Sequence, residues 1–525
     1  MLFNSSIFAL FFATFFPVYL LVRGNIFWRN VLLIAASYAF YGWWDARFLI
    51  LVAVSTSVDY LAALGASGQP VRAVDGLKSA AFLAAVTIGS LLFARHDWWL
   101  AGPVAIGMLA AAGWLRIIRR AAPARQPRLW LYLSLGTNLG ILAFFKYFNF
   151  FVGSLTAALD VFGFRVHSPT LSIILPVGLS FYTFQAISRT IDSYRRQFEP
   201  QYSIINYAAY HAFFPQLVAG PIERAHRLMP QFESVRPLDL ATFGSGALLF
   251  LWGLYQKIVI ADNVAPIADA VFSAPAGQSA AATLAALLAF ALQIYCDFSG
   301  YSNMARGLAR CLGFELRINF NLPYFSRTPS EFWQRWHISL STWLRDYLYI
   351  PLGGNRKGRT RMYMNLMITM LLGGLWHGAA WNFVIWGGFH GAIQVVYRVL
   401  GVDSLLERKP ASGPSGLVLH LAAWAFTMTL ILVGWVFFVA RSLPDTVTVL
   451  GNLLGVSGYP NEALATLAAY AAPLALVEIY QRVSGRLEIL NTGPFLVRYS
   501  AALSVLLTII AFSARGGRQF IYFDF

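Results

Sequence analysis

The chain has 525 residues, of which 58% are hydrophobic and 12% are charged, whereas a typical soluble domain is about 25% charged. So few charged residues cannot cover a water-exposed surface, which excludes disordered proteins, nucleic-acid-binding tails and ordinary cytosolic enzymes and leaves a polytopic membrane protein. The chain has 39 basic and 23 acidic residues. An excess of basic residues is typical of membrane proteins, because their cytosolic loops are rich in Lys and Arg.

Apolar runs long enough to cross a membrane recur along the whole chain, since about 20 apolar residues span the hydrocarbon core. They lie near residues 6–22, 30–44, 48–65, 77–94, 99–118, 129–151, 171–188, 241–260, 280–298, 417–440, 465–480 and 496–512. Basic residues follow alternate runs, as in the loop 116–128 and at Arg189, and should face the cytosol. The loop 261–281 has no Lys or Arg and should face the opposite side.

Two further apolar stretches break this alternation. Residues 204–221 contain Pro215 and Gly220 between two basic loops, which predicts a re-entrant segment; a miscounted span is the alternative. Residues 365–397 would extend about 50 Å as one helix. We expect this stretch to turn back near Gly373-Gly374 or Gly387-Gly388.

Motifs of soluble enzymes are missing from the sequence, which has no GxSxG, HExxH or GxxxxGK[ST] and no paired Cys/His spacing for a metal. Polar residues inside apolar sequence are therefore the most informative, because an ionisable group in a span usually faces a cavity. His377 lies among small residues that leave room for a ligand. A core histidine bonded to a neighbour is an equal alternative.

A second candidate, His337, lies on a predicted amphipathic helix. Thr328 and Glu331 form a capping box and Pro329 occupies the first helical position. An interfacial anchor is the alternative interpretation of this helix. The third candidate is Asp297, a carboxylate at membrane level, for which pairing with an intramembrane arginine is the alternative.

Four motifs in order give the chain a family resemblance. Residues 213–222, 297–302, 332–357 and 373–381 resemble the membrane-bound O-acyltransferase family, and in particular its bacterial branch that acetylates alginate. The resemblance implies an all-α polytopic fold, a ring of tilted helices with re-entrant segments around a central tunnel. It divides the chain into N-terminal helices at 1–128, with an apparent inserted pair at 77–118, a catalytic core at 129–400 and C-terminal helices with an aromatic tail at 401–525.

The resemblance also implies roles for individual residues. His377 matches the family's catalytic histidine, and His337 matches a second histidine across the tunnel. We expect the remaining substrate-binding residues to come from the same motifs and the basic turn that follows them. They are Asp297, Trp336, Arg345, Trp376, Asn382, Arg356 and Lys357. A positive-inside loop is an equal alternative for Arg356 and Lys357.

The function implied by the resemblance is an O-acyltransferase in the bacterial inner membrane, surrounded by membrane lipids. It would move an acetyl group from cytosolic acetyl-CoA towards a secreted or cell-wall polysaccharide, with a periplasmic SGNH-type acetyltransferase as partner and with no metal, permanently bound cofactor or nucleic acid. The alternatives are a polysaccharide or lipid transporter with a buried His/Asp relay, and an acyltransferase for a lipid or protein acceptor.

The aromatic-rich segment 519–525 is the last feature that the sequence singles out. They resemble an aromatic C-terminal motif of the alginate-type branch, in which a tyrosine is a candidate acyl carrier. Tyr522 has the only nucleophilic hydroxyl in this segment, so we expect the tail to fold back towards His377 and Tyr522 to act in catalysis. An interfacial aromatic anchor is the alternative.

Overall fold

A computed structural model describes residues 1–93, 101–164, 171–408, 413–455, 461–491, 494–514 and 518–521. Within these ranges all regular secondary structure is helical, which confirms the predicted all-α polytopic class. Seven helical segments of the described residues are long and apolar enough to cross a membrane. These segments are Ala46–Ala66, Ala73–Phe93, Pro123–Val161, Leu240–Phe272, Ala280–Cys311, Pro414–Val439 and Glu462–Ser484.

The chain forms two compact units. The first comprises Met1–Asp239 and Leu312–Leu316. Its helices are α1 (Ser6–Val22), α2 (Ile26–Gly42), α3 (Leu49–Ala66), α4 (Ala73–Phe93), α5 (Ala101–Arg120), α6 (Gln126–Leu142), α7 (Phe148–Val161), α8 (Leu179–Tyr194), α9 (Ile204–His211), α10 (Phe214–Leu217) and α11 (Ala225–Phe232).

A buried polar network joins three helices of this first unit. The Asp59 carboxylate on α3 accepts hydrogen bonds from the Asn138 amide, at 2.8 Å, and from the Ser134 hydroxyl, both on α6. Arg189 on α8 donates to the main-chain oxygen of Asp59 at 2.9 Å and is fully buried. The prediction that Arg189 belongs to a basic loop is therefore wrong. Helix α8 continues past this residue to Tyr194, and the guanidinium donates a hydrogen bond inside the unit.

The stretch 204–221 consists of two short helices, α9 and α10, of 8 and 4 residues. Neither is long enough to span a membrane, and Pro215 lies in the first turn of α10. Residues 207–221 of the stretch 204–221 are all buried. A segment of this kind fits the predicted re-entrant backbone, which membrane proteins tolerate where protein surrounds it.

The second unit comprises Leu240–Cys311 and Arg317–Phe525. Its helices are α12 (Leu240–Tyr255), α13 (Asp262–Phe272), α14 (Ala280–Cys311), α15 (Pro329–Arg335), α16 (Ile338–Leu344), α17 (Arg359–His377), α18 (Trp381–Val399), α19 (Val402–Arg408), α20 (Pro414–Val439), α21 (Leu443–Leu454), α22 (Asn461–Ser484) and α23 (Phe495–Phe512).

A π-helical turn over Gln256–Ala261 connects α12 to α13, so the helix continues to Phe272. The predicted end near residue 260 is wrong, and Asp262 lies inside the helix rather than in an exposed loop. Its carboxylate can remain charged while buried, because Lys257, one turn earlier, donates a hydrogen bond to it at 2.7 Å. Single π-helical turns of this kind are frequent at functional sites.

The stretch 365–397 folds as the hairpin α17–α18, but it turns at residues 378–380, not at either glycine pair. Gly374 and Gly387 instead sit where the two helices touch. A methyl group at 374 would collide with the main-chain oxygen of Phe383, and one at 387 with that of Met370. These glycines allow close helix packing, and the helical ladder continues through them.

The contact between α17 and α18 gives a first prediction. Gly387→Ala should lower stability by about 1–3 kcal/mol, because the added carbon meets main-chain atoms that cannot move aside. Gly388→Ala is the matched control, since its added carbon would meet only the flexible Leu371 side chain at 3.3 Å. Thermal unfolding of the detergent-solubilised variants measures both, and equal melting temperatures would show that the contact is not tight.

Candidate active site

His377 is the last residue of α17, and the chain leaves the helix at Gly378 in an extended conformation. The imidazole is 3% exposed. Trp376 and Trp386 each pack edge-on against the ring with centroids 5.0 Å away. These two aromatic contacts fix the orientation of the imidazole.

A cavity of about 530 Å³ borders His377 in the second unit, within the range of about 300–1,000 Å³ typical of small-molecule sites. Elements α15 to α18 form its wall. The lining includes Trp333, Gln334, Ser341, Arg345, Tyr349, Thr369, Gly373, His377, Trp386, Gln394 and Arg398. The cavity therefore combines an apolar wall with two arginines and one histidine, which suits a ligand that has an anionic part and an acyl group.

His337 lies between α15 and α16 and interrupts what the sequence predicts as one helix. Its backbone is left-handed, with φ 43° and ψ 53°, so the prediction of a continuous helix is wrong. The main chains of Asn319 and Asn321 supply hydrogen-bond partners to the main chain on either side of this interruption. The Ile338 N–H donates to the Asn319 oxygen at 2.9 Å, and the Asn321 N–H donates to the Arg335 oxygen at 2.9 Å.

The His337 ring is fully buried and close to the first histidine. Its centroid is 6.4 Å from that of His377 and 4.6 Å from that of Phe298. Nδ1 lies 3.3 Å from Oδ1 of Asn319 and donates to it, so Nε2 is the acceptor nitrogen of the ring. Burial lowers the pKa of His337 to about 3, so the ring is neutral at pH 7. A buried, neutral imidazole does not fit the alternative of an interfacial anchor.

The start of α15 follows the sequence prediction. The Thr328 hydroxyl accepts from the Glu331 N–H at 3.1 Å, and Pro329 is the first helical residue. The Glu331 carboxylate accepts from the Arg327 N–H, one residue before the cap, rather than from Thr328 itself. The cap fixes the start of the helix that leads into His337.

Asp297 lies on α14 and is 2% exposed. It is paired with Lys257 at 2.7 Å, and Lys257 also binds Asp262 at 2.7 Å. The alternative interpretation, an ion pair with an intramembrane arginine, is wrong about the cation, which is a lysine from the π-helical turn. These three residues, here called the ion triad, hold the Asp297 carboxylate in an ionic cluster inside the protein.

The other predicted residues separate into two groups. Trp336 and Trp376 are buried, with Trp376 packed 5.9 Å from the His337 ring. Asn382 donates to the Ala440 oxygen at 2.7 Å and so fastens α18 to the end of α20.

Arg345 lines the cavity from a π-helical turn and pairs with Asp346. Arg356 and Lys357 lie exposed in the turn before α17 and are not part of the cavity lining.

Tyr522 lies outside the described residues. The segment before it, residues 518–521, returns to the core of the second unit, where Phe520 packs on Phe298 and Tyr301 at 5.6 and 4.9 Å. Since Phe298 also contacts His337, this segment ends one aromatic ring away from the second histidine.

Sequence reasoning missed Lys257, Asn319, Trp386 and Arg398. A lone lysine inside the apolar run 241–260 is a usable signal for Lys257, because charges in spans are usually paired. Trp386 and Arg398 lie on a helix whose cavity-facing side depends on where the α17–α18 hairpin turns. Asn319 has no signal of its own, since its role comes from hydrogen bonds with His337 and Ser339, 18 and 20 residues away.

The profile of the membrane-bound O-acyltransferase family matches residues 126–402. The protein named "Probable alginate O-acetylase AlgI" from Pseudomonas putida is 40% identical over 443 residues, which cover 84% of this chain and 78% of that protein. The chain belongs to the membrane-bound O-acyltransferase family. It is a multi-pass membrane O-acyltransferase, which disfavours the transporter alternative.

Two further relatives mark the range of the family. A peptidoglycan O-acetyltransferase of Helicobacter pylori is 36% identical, covering 65% of this chain and 67% of that protein. A teichoic acid D-alanyltransferase of Streptococcus thermophilus is 30% identical, covering 43% of this chain and 58% of that protein. Residues 77–118, the apparent insertion, precede the matched family profile.

Proposed function

We propose that this enzyme moves an acetyl group from cytosolic acetyl-CoA across the bacterial inner membrane for O-acetylation of a secreted or cell-wall polysaccharide. The observation that carries the proposal is the position of His377, at a helix end, in the wall of a cavity with two arginines and 6.4 Å from the neutral ring of His337. Relatives named for alginate and peptidoglycan acetylation are 36–40% identical, which favours an acetyl group over D-alanine.

His377 acts as the general base in this proposal. An imidazole nitrogen takes the proton of an acceptor hydroxyl while the hydroxyl oxygen attacks the thioester carbonyl. The tetrahedral intermediate then collapses, the carbon–sulfur bond breaks, and the thiolate of coenzyme A takes the proton back from the imidazolium. His337 would orient the acceptor hydroxyl, which would donate to Nε2, since Nδ1 donates to Asn319.

Arg345 and Arg398 would bind the phosphates of coenzyme A from the cavity wall. Arg356 and Lys357 extend the positive charge into the turn before α17, where they would contact the donor as it enters. The positive-inside pattern supports a cytosolic location for these basic segments. The donor therefore enters from the cytosol, and no cofactor needs to remain bound.

Tyr522 is the proposed carrier of the acetyl group between this enzyme and a periplasmic SGNH-type acetyltransferase. The neighbouring residues 518–521 dock within one ring of His337, which supports an acceptor in this region. A phenyl ester is a better acyl donor than an alkyl ester, so an acetylated tyrosine suits a relay to a second enzyme. The enzyme would work among membrane lipids and without nucleic acid.

Replacing His377 by Ala should lower the rate of acetyl transfer by about 10²–10⁴, because the general base is lost. His337→Asn, which tolerates a left-handed backbone, should reduce activity less. His226→Ala is the matched control, since its side chain is 58% exposed and lies in the first unit. Single-turnover assays with radiolabelled acetyl-CoA measure the rates. Near-wild-type transfer by His377→Ala would contradict its assignment, and an equal loss in His337→Asn would give His337 a chemical role.

Replacing Arg345 or Arg398 by Gln should raise the KM for acetyl-CoA about tenfold or more and change kcat less, because each removes a charge-assisted hydrogen bond to phosphate. Arg356→Gln and Lys357→Gln should act in the same direction but more weakly, since exposed charges are screened. The control is Arg441→Gln, an exposed arginine outside the cavity lining. An unchanged KM in both cavity variants would place the donor elsewhere.

A further inference from the structure

Residues 518–521 are held to the second unit mainly by their main chain. The Ile521 N–H donates to Oδ2 of Asp297 at 2.6 Å. Nζ of Lys257 donates to the main-chain oxygen of Gln519 at 3.2 Å. The ion triad therefore binds one donor and one acceptor of the same short stretch of backbone.

The side chains of this segment add a second kind of contact. Phe520 is 2% exposed and inserts against Phe298 and Tyr301 of α14. Arg518 pairs with Asp269 of α13. The segment is thus fixed between an aromatic surface and the ion triad.

The charges explain why the triad binds a backbone. Lys257 lies between Asp262 and Asp297, so the cluster has one cation for two carboxylates. All three residues are at most 5% exposed. A carboxylate in such a place needs further donors, and the Ile521 N–H supplies one. Without this segment, one Asp297 oxygen would lose a donor and Lys257 would lose an acceptor.

The π-helical turn Gln256–Ala261 makes this arrangement possible. It carries Lys257 and is followed directly by Asp262, the first residue of α13. A π-helical turn shifts the register of the helix after it. The shift lets one lysine contact carboxylates on two helices, α13 and α14, and the tail as well.

We propose that the ion triad of Lys257, Asp262 and Asp297 is a main-chain binding site for residues 518–521, and that this docking is a positioning element for acyl transfer. The role in transfer rests on the proposed function, whereas the docking does not. Phe520 packs on Phe298, and Phe298 packs on His337, so the triad holds residues 518–521 one aromatic ring away from the second histidine. Recognition of the backbone predicts that the N–H at position 521 matters more than its side chain.

The test removes that N–H from the full-length chain. Ile521 is replaced by its α-hydroxy acid through stop-codon suppression, which converts one amide into an ester and keeps the side chain. The control is the same chain made by the same suppression with isoleucine. Hydrogen exchange of the remaining tail amides, followed by mass spectrometry, measures docking. Transfer from radiolabelled acetyl-CoA measures the rate.

We expect the ester to speed exchange of the tail amides about tenfold or more, because a hydrogen bond to a charged group is lost, and to lower transfer by a similar factor. Asp297→Asn, which retains an acceptor oxygen without the charge, should show a smaller effect of the same kind. The ester variant keeps every side chain, and Asp297→Asn exchanges one side chain for another of similar size and shape. Loss of folding is therefore not expected.

The outcomes separate the two parts of the proposal. Unchanged exchange in the ester variant would overturn the binding site. Faster exchange with unchanged transfer would overturn the positioning role and leave the docking in place. If the native chain itself transfers no acetyl group, the proposed function fails, while the exchange rates still decide whether the triad binds the tail.

Discussion

The geometry of the site depends on satisfying the backbone where helices break inside an apolar protein. A carbonyl or N–H left without a partner in such surroundings costs several kcal/mol. At His337 the break is closed by residues 319–321, which bind the main chain on both sides of it. The left-handed residue can persist only because those bonds exist, and it is this conformation that brings the ring to 6.4 Å from His377.

The same requirement explains the second break. Helix α17 ends at His377, and the chain returns through α18 after three residues. Close glycine contacts hold the two helices together, while Asn382 ties the turn to the Ala440 oxygen. One histidine thus ends a helix and the other separates two, and each is positioned by a neighbouring segment. The cavity is lined by residues of α15 to α18, the helices that begin or end at these two breaks.

The sequence predicts most of the long helices but not the points at which helices break or pack against each other. The apolar runs predict most long helices, and the Thr328–Glu331 cap predicts the start of α15 because both are local signals. The break at His337 was not predictable, since its cause is Asn319, 18 residues earlier. The glycine pairs that contain Gly374 and Gly387 predict a turn that does not occur there, because the sequence does not distinguish a glycine that bends a helix from one that packs against another helix. The sequence predicts loops at Arg189 and Asp262, because a charge near the end of an apolar run resembles a flanking residue until its buried partner is known.

The central claim is that an acetyl group passes from one side of the membrane to the other through this protein. It is tested by sealing radiolabelled acetyl-CoA inside proteoliposomes with the turn before α17 facing the lumen, and by measuring label on the chain that an external protease can release. The account predicts that label becomes accessible from outside while acetyl-CoA stays inside, and that none does so with His377→Ala. Label that stays on the luminal side, or that appears outside only after the vesicles are opened, would contradict it.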